Sequence, residues 1–362
     1  MWFWKAGRLK ETDLDINAVK EYLRSYDGPD MNIMEVCGSH TAAIAKNGIP
    51  SLLSRKLHLL SGPGCPVCVT PSAYVDRLLA LASEPGTCIV TFGDLIRVPG
   101  STPKNLSAAR GEGARVEMVY SPMDIIPMAG KEPATTFIFA AVGFETTAPV
   151  YGLLVDTLVK RHMANVKLLT AVKTMPEVID CLMEQGAPID GFLAPGHVSV
   201  VTGTEVYKPI AERFSIPFGV SGFSGEEILL SLYGIVKARG QGKVMNFYPS
   251  VVKKEGNPKA RALFDTYFER ADACWRGLGK IAGSGRVLKE DYSAFDAGSR
   301  GLDEDHKANA ACSCDKVLMG KIRPYDCPLY GKVCTPMNPQ GACMVSTEGS
   351  CFSYFSNHRT DR

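Results

Sequence analysis

From residue 57 onward the chain repeats one pattern: a short apolar run, a loop of Gly, Pro, Ser, Thr or a single charged residue, then a helix-like or turn segment. The runs fall at 57–60, 88–92, 116–120, 137–142, 166–170, 191–194 and 217–220, and 31–36 reads as one more extended segment. Short apolar runs alternating with helices predict parallel sheets joined by right-handed crossovers. Loops that follow such strands share one edge, and ligands bind there. They open with Ser61-Gly62-Pro63, Gly93-Asp94, Ser121-Pro122, Gly143-Phe144-Glu145, Val172-Lys173-Thr174, Pro195-Gly196-His197 and Ser221-Gly222-Phe223.

Seven strands with so few long helices are many for one sheet, and Gly130-Lys131-Glu132-Pro133 offers a break. The expected fold class is α/β, with two small parallel-sheet domains, 56–135 and 136–250, facing each other across a cleft. Ahead of them, 1–55 is expected to be an N-terminal helical segment packing on the C-terminal domain. Within it, 16–23 has helical spacing with Asp15 as N-cap and Asp27-Gly28-Pro29 as stop, and 41–46 forms a short helix capped by Ser39. Residues 251–362 form a helical, cysteine-bearing domain, in which 258–275 reads as one amphipathic helix and the charged stretch 302–307 as exposed surface.

Composition narrows the class. The chain has 362 residues, 45% of them apolar and 22% charged, with a formal net charge of +2. No basic block suggests nucleic acid. The opening Met1-Trp2-Phe3-Trp4-Lys5 lacks the apolar core of a signal peptide, and no run is long enough to span a membrane. A cytoplasmic protein is expected, and twelve cysteines in that compartment point to metal ligation or redox chemistry rather than a disulfide framework.

The cysteines fall into three groups. Gly62-Pro63-Gly64-Cys65-Pro66-Val67-Cys68 follows an apolar run, with Thr70 placed to cap a helix whose first residue is Pro71. Thiols ahead of a helix start ionise more readily than free cysteine. Redox work or metal handling suits Cys65 and Cys68; half a zinc site or a disulfide uses the same pair. Cys37-Gly38-Ser39-His40 repeats the theme. The third group is C-terminal. Cys327, Cys334, Cys343 and Cys351 stand singly on proline-stiffened loops, whereas zinc sites bring ligands in close pairs. That spacing favours the corners of a [4Fe–4S] cluster over zinc. Cys312 and Cys314 are left over, as spare ligands or a second dithiol.

Other candidates carry simpler readings. Cys88, Cys181 and Cys274 read as small buried hydrophobes, and His58 as a packed or edge residue. His197 either lines the cleft or orders its loop. Glu145 either caps the helix containing 151–158 or faces the cleft, and Asp94 shares that ambiguity. No phosphate-binding glycine motif is present.

Taken together, Glu35-Val36-Cys37-Gly38-Ser39-His40-Thr41, the Gly62 to Cys68 motif, Gly143-Phe144-Glu145-Thr146-Thr147-Ala148-Pro149, Pro195-Gly196-His197-Val198-Ser199 and the block from Cys327 to Cys351 resemble the HypD family of [NiFe]-hydrogenase maturation proteins over nearly the whole chain. The resemblance implies a scaffold that, with a small HypC-type chaperone, assembles iron carrying two cyanides and one carbon monoxide. A HypE-type partner supplies the cyanide. By the same resemblance Cys37 holds the iron with His40 beside it, Cys65 and Cys68 are the redox dithiol, and Cys327, Cys334, Cys343 and Cys351 ligate a [4Fe–4S] cluster. Such a protein is more a metallocentre assembly scaffold with thiol redox activity than a turnover enzyme. Two alternatives remain: an iron–sulfur thiol-disulfide reductase, which has no need of Cys37, and a zinc-stabilised binding protein.

Overall fold

The structure, a computed structural model, describes residues 15–357. The reading of the first residues as no signal peptide therefore lies outside the described residues. Among the described residues, eleven strands form two sheets. They are β1 (Met31–Glu35), β2 (Leu57–Ser61), β3 (Thr87–Thr91), β4 (Arg115–Met118), β5 (Thr136–Gly143), β6 (Val166–Lys173), β7 (Gly191–Pro195), β8 (Phe218–Ser221), β9 (Val244–Phe247), β10 (Phe268–Trp275) and β11 (Gly279–Leu288). The first sheet runs β2-β1-β7-β8-β9 and is parallel throughout. The second runs β10-β11-β6-β5-β3-β4, parallel from β6 to β4, with β11 and β10 added antiparallel. The fold is α/β, as the alternation of apolar runs and helices requires.

Sheet membership does not follow a division of the chain at 135/136. β1 and β2 pair with each other and, through β1, with β7, while β3 to β6 make the other sheet. Packing explains this: Tyr74, Val75 and Leu78, from the helix after β2, share an apolar cluster with Ile89, Val116 and Ile138 of the second sheet. Crossing between sheets buries that helix face, each large side chain contributing about 1.5–3 kcal/mol.

Other expectations shift locally. Residues 258–275 are not one helix, because Pro258–Tyr267 is helical and Phe268–Trp275 is β10. Helix α1 (Ile16–Ser25) begins as expected, with the Asp15 side chain accepting from the Asn17 amide at 2.9 Å. Helix α2 (Gly38–Lys46) starts one turn early, with Cys37 itself at the N-cap position, and packs against the C-terminal helix Ser350–Asn357. Helix α3 (Ser72–Ala82) has Pro71 at its N-cap, and the Thr70 hydroxyl bonds back to the Pro66 carbonyl instead of capping. Asp305 takes that role: its carboxylate accepts the Ser72 amide at 3.1 Å and the Gly277 amide at 3.0 Å. The 302–307 stretch is thus a strap tying α3 to the β10–β11 turn. No helix among the described residues is long and apolar enough to cross a membrane.

Candidate functional site

In the first sheet the strand order reverses between β1 and β7. Chain connections there run outward in opposite directions and leave a crevice at the carboxyl ends of the strands. Cys37 and His40 follow β1, His197 follows β7, Cys65 and Cys68 follow β2, and Gly222 follows β8. Four neighbouring strand ends therefore deliver the N-terminal motifs to one place.

Backbone contacts lock these loops together. The Gly62 amide donates to the Glu35 carbonyl at 2.8 Å and the Gly38 amide to the Gly64 carbonyl at 3.0 Å. A Cβ on Gly64 would overlap the Cys37 amide nitrogen, so only glycine permits this approach. Glu35, 3% exposed, accepts the Cys37 amide at 2.9 Å and also binds the Thr41 hydroxyl. Burial pushes the Glu35 carboxyl up to about 7, against those hydrogen bonds.

Cys37 is partly exposed, and its sulfur receives the backbone N–H groups of His40 and Ser39 at the start of α2. The sequence expectation of an acidified thiol fails nonetheless. Desolvation outweighs the helix start and pushes Cys37 up to about 12, with the Glu35 and Glu348 carboxylates adding to the rise. His40 is fully buried, its Nε2 2.9 Å from the Gly222 carbonyl, and burial lowers it to about 4. A neutral imidazole donating to Gly222 leaves Nδ1, which has no partner, as a buried acceptor. His197 is exposed and stacks on Phe223 at 4.1 Å, while His40 lies 4.7 Å from the same ring. Phe223 thus bridges the two histidines.

Cys65 and Cys68 are joined as a disulfide and almost fully buried. The first amides of α3 are taken by Asp305 and by the Glu304 carbonyl, so the helix start does not serve these sulfurs as the sequence suggested. Their neighbours are chemical instead. Cys68 Sγ lies 3.8 Å from the carbonyl of Ala342, next to Cys343, and one apolar core holds Cys65 and Cys68 together with Cys312, Cys314, Cys334, Cys343 and Cys351.

The C-terminal block gathers more thiols than four ligands require. Cys312 and Cys314 sulfurs lie 3.3 Å apart, and Cys343 accepts hydrogen bonds from Cys314 and Cys351, which hold it down at about 5. Cys334 accepts from the Gln340 amide at 3.4 Å, and the thiols of Cys314, Cys312 and Cys327 raise its pKa beyond what burial does. All six are buried. Among the described residues no three His, Cys, Asp or Glu side chains are drawn together as a metal site; the block is a buried set of soft sulfurs, the donor type that an iron–sulfur cluster takes at one thiolate per iron. The sequence left Cys312 and Cys314 as spare ligands or a second dithiol, and they lie in the same core as Cys334, Cys343 and Cys351.

Of the remaining candidates, Cys88 is buried in an apolar core, Cys274 is buried beside charged Lys173 and Asp305, and Cys181 is partly exposed. His58 sits partly buried on β2, the edge strand. Asp94 accepts from the Ser346 hydroxyl at 3.1 Å and ties the β3 loop to the C-terminal block. Glu145 does not cap the helix Ala148–Lys160 that follows it; its Oε1 accepts the amide of Met175, at the start of the helix Met175–Glu184, at 2.8 Å.

This is an α/β protein that collects thiols at the switch point of a parallel sheet and backs them with a buried cysteine block. Comparison with known sequences says which one. The HypD family model, described as the hydrogenase formation hypA family, matches residues 14–358. The hydrogenase maturation factor HypD1 of Bradyrhizobium diazoefficiens is 36% identical over 365 residues, covering 98% of this chain and 94% of its own. A putative hydrogenase expression/formation protein of Methanocaldococcus jannaschii is 40% identical over 336 residues, 91% of this chain and 92% of its own. The hydrogenase maturation factor HypD of Cupriavidus necator is 36% identical over 345 residues, 92% and 91% respectively. The chain belongs to the HypD family and is a hydrogenase maturation factor.

Proposed function

We propose that this chain is the cytoplasmic scaffold on which iron carrying two cyanides and one carbon monoxide is assembled for a [NiFe]-hydrogenase, together with a HypC-type chaperone and a HypE-type cyanide donor. One observation carries the reading: the Gly64 loop of the Cys65–Cys68 pair touches the backbone of Cys37, and the pair itself packs against the C-terminal thiols. Cys37 offers the incoming iron a sulfur cradled by two backbone N–H groups. Soft thiolate suits iron bearing strong-field ligands, and binding displaces the thiol proton. His40, one turn along α2 from Cys37, keeps a neutral ring bonded to the Gly222 carbonyl. Cys65 and Cys68 exchange two electrons as dithiol and disulfide. Cys327, Cys334, Cys343 and Cys351 are the proposed holders of a [4Fe–4S] cluster, with Cys312 and Cys314 in contact; bound there, the cluster supplies single electrons.

The test is an infrared spectrum, in the cyanide and carbonyl stretching region, of the chain purified without oxygen with its small partner. Bands of both ligands that vanish in Cys37→Ser support the scaffold. Their absence from a preparation whose cluster is intact transfers the reading to a thiol-disulfide reductase.

A further inference from the structure

The thiol chemistry makes no use of a cavity of about 260 Å³ that lies beside Glu145. It opens where the loops after β5 and β6 meet the helices Met175–Glu184 and Pro258–Tyr267. Glu145, Glu177, Asp265, Arg261 and Arg286 supply its charged lining and Thr174 and Thr202 its hydroxyls, while Val172, Val201 and Phe264 supply apolar wall.

Buried polar groups in folded proteins are paired, and here several are not. Glu145 Oε2, Thr174 Oγ1, Glu177 Oε2 and Arg261 Nε are buried without a hydrogen-bond partner. Glu145 is 8% exposed and Thr174 5%. Each charged group is meanwhile fixed through its other atoms. Glu145 Oε1 holds the Met175 amide at 2.8 Å, and Glu177 Oε1 holds Arg270 at 2.7 Å. Arg261 Nη2 donates to the Glu255 carbonyl at 2.8 Å, and Arg286 Nη1 to the Gly285 carbonyl at 3.0 Å. The fold therefore places three carboxyl groups and two guanidinium groups around one small space and leaves a buried atom of Glu145, Glu177 and Arg261 without a partner. Strands, caps and ion pairs have already taken what stability needs from these side chains.

The unused groups define the ligand. A lone anion would satisfy the arginines and meet three carboxyl groups; a lone cation would satisfy the carboxyl groups and meet two arginines. An apolar molecule would satisfy none of them, at a cost of about 1–3 kcal/mol for each group left unpaired. We propose that the cavity binds a small zwitterion of the α-amino-acid class. Its ammonium is taken by Glu145, Glu177 and the Thr174 hydroxyl, its carboxylate by Arg261 and Arg286, and a short side chain by the Val172, Val201 and Phe264 wall. The site carries no thiol and stands independently of the iron-scaffold reading. It still has a route to the thiols, since Phe144, the residue before Glu145, stacks on Trp275 in the apolar core that contains Cys65 and Cys68.

Titration calorimetry on the full chain tests this, with glycine, L-alanine and L-valine as probes and acetate and ethylammonium as their single-charge halves. Saturable binding of at least one amino acid is expected, with each half weaker by about tenfold or more. Glu145→Gln and Arg286→Gln should each weaken it by about tenfold or more. Thr174→Val, which keeps the side-chain shape, should weaken it less and serves as the reporter if a charge variant misfolds. No binding of any of the three amino acids overturns the proposal, as does acetate binding as tightly as alanine, or unchanged affinity in both Glu145→Gln and Thr174→Val.

Discussion

Gly64 and Cys37 meet through their backbones, with no room for a Cβ between them. The contact joins the loop after β2 to the loop after β1, and the Gly38 amide seals it by donating to the Gly64 carbonyl at 3.0 Å. Gly64→Ala must push the two loops apart. Overpacking of this kind costs about 1–3 kcal/mol, and the Cys37 sulfur is displaced with its loop. We expect the variant to stay folded by circular dichroism, to keep the absorbance of the proposed iron–sulfur cluster, and to lose most of the cyanide and carbonyl infrared signal. Full infrared signal in a stable Gly64→Ala protein would show that the approach of the two loops is not needed for iron loading.

Gly341 plays a comparable part in the C-terminal block. A Cβ there would stand 2.7 Å from the sulfurs of both Cys312 and Cys314. Gly341→Ala should therefore spread these two thiols away from Cys343 and lower the iron and sulfide content of anaerobically purified protein. Chelating the iron from the unsubstituted protein should free the same buried thiols to alkylation once the block loosens. Unchanged iron and sulfide in Gly341→Ala would remove Cys312 and Cys314 from any part in holding the proposed cluster.

The Cys65–Cys68 disulfide leaves ten of the chain's cysteines free. Denatured, unreduced and cluster-free protein should take up alkylating reagent at those ten and reach all twelve only after reduction. Peptide mapping should place the two late additions at Cys65 and Cys68. Late additions at Cys312 and Cys314 instead would move the redox pair to the C-terminal block.

Much of this site is local in sequence and so was legible. Apolar runs ending in Gly and Pro loops put Cys37, Cys65, Cys68 and His197 at strand ends. What escaped depended on distant partners. β2 and β3 are consecutive runs, yet they enter different sheets because the helix between them packs on Ile89 and Ile138. Phe264, Phe268, Ala271 and Trp275 keep nearly helical spacing; β10 can do so because its register shifts between Ala271 and Ala273 and breaks the two-residue alternation. The helix start behind Cys68 was visible from Thr70-Pro71, but not that Asp305 would occupy it. Nor could the Cys37 motif reveal how far desolvation would outweigh its two N–H donors.

Lys173 gives a pH test away from the C-terminal cysteine block. It ends β6, is 3% exposed, forms no ion pair among the described residues, and sets its Nζ 5.8 Å from the Trp275 ring centre. Burial lowers it from 10.5 to about 8, with Cys274 and Asp305 opposing and Arg276 pushing the same way. A lysine depressed in the folded state costs stability while it is charged in both states, below about 8; the cost fades as pH climbs from there toward 10.5, where the unfolded chain also loses its proton. Lys173→Met keeps the length of the side chain and removes the charge. At pH 7 it should be more stable than the parent by on the order of 2 kcal/mol, after the lost cation–π contact is included. Urea unfolding of both proteins from pH 7 to pH 10.5 should show that advantage shrinking steadily. A constant difference across the range, or a less stable Met variant at pH 7, would mean that the Trp275 face and Asp305 already compensate the buried ammonium in full.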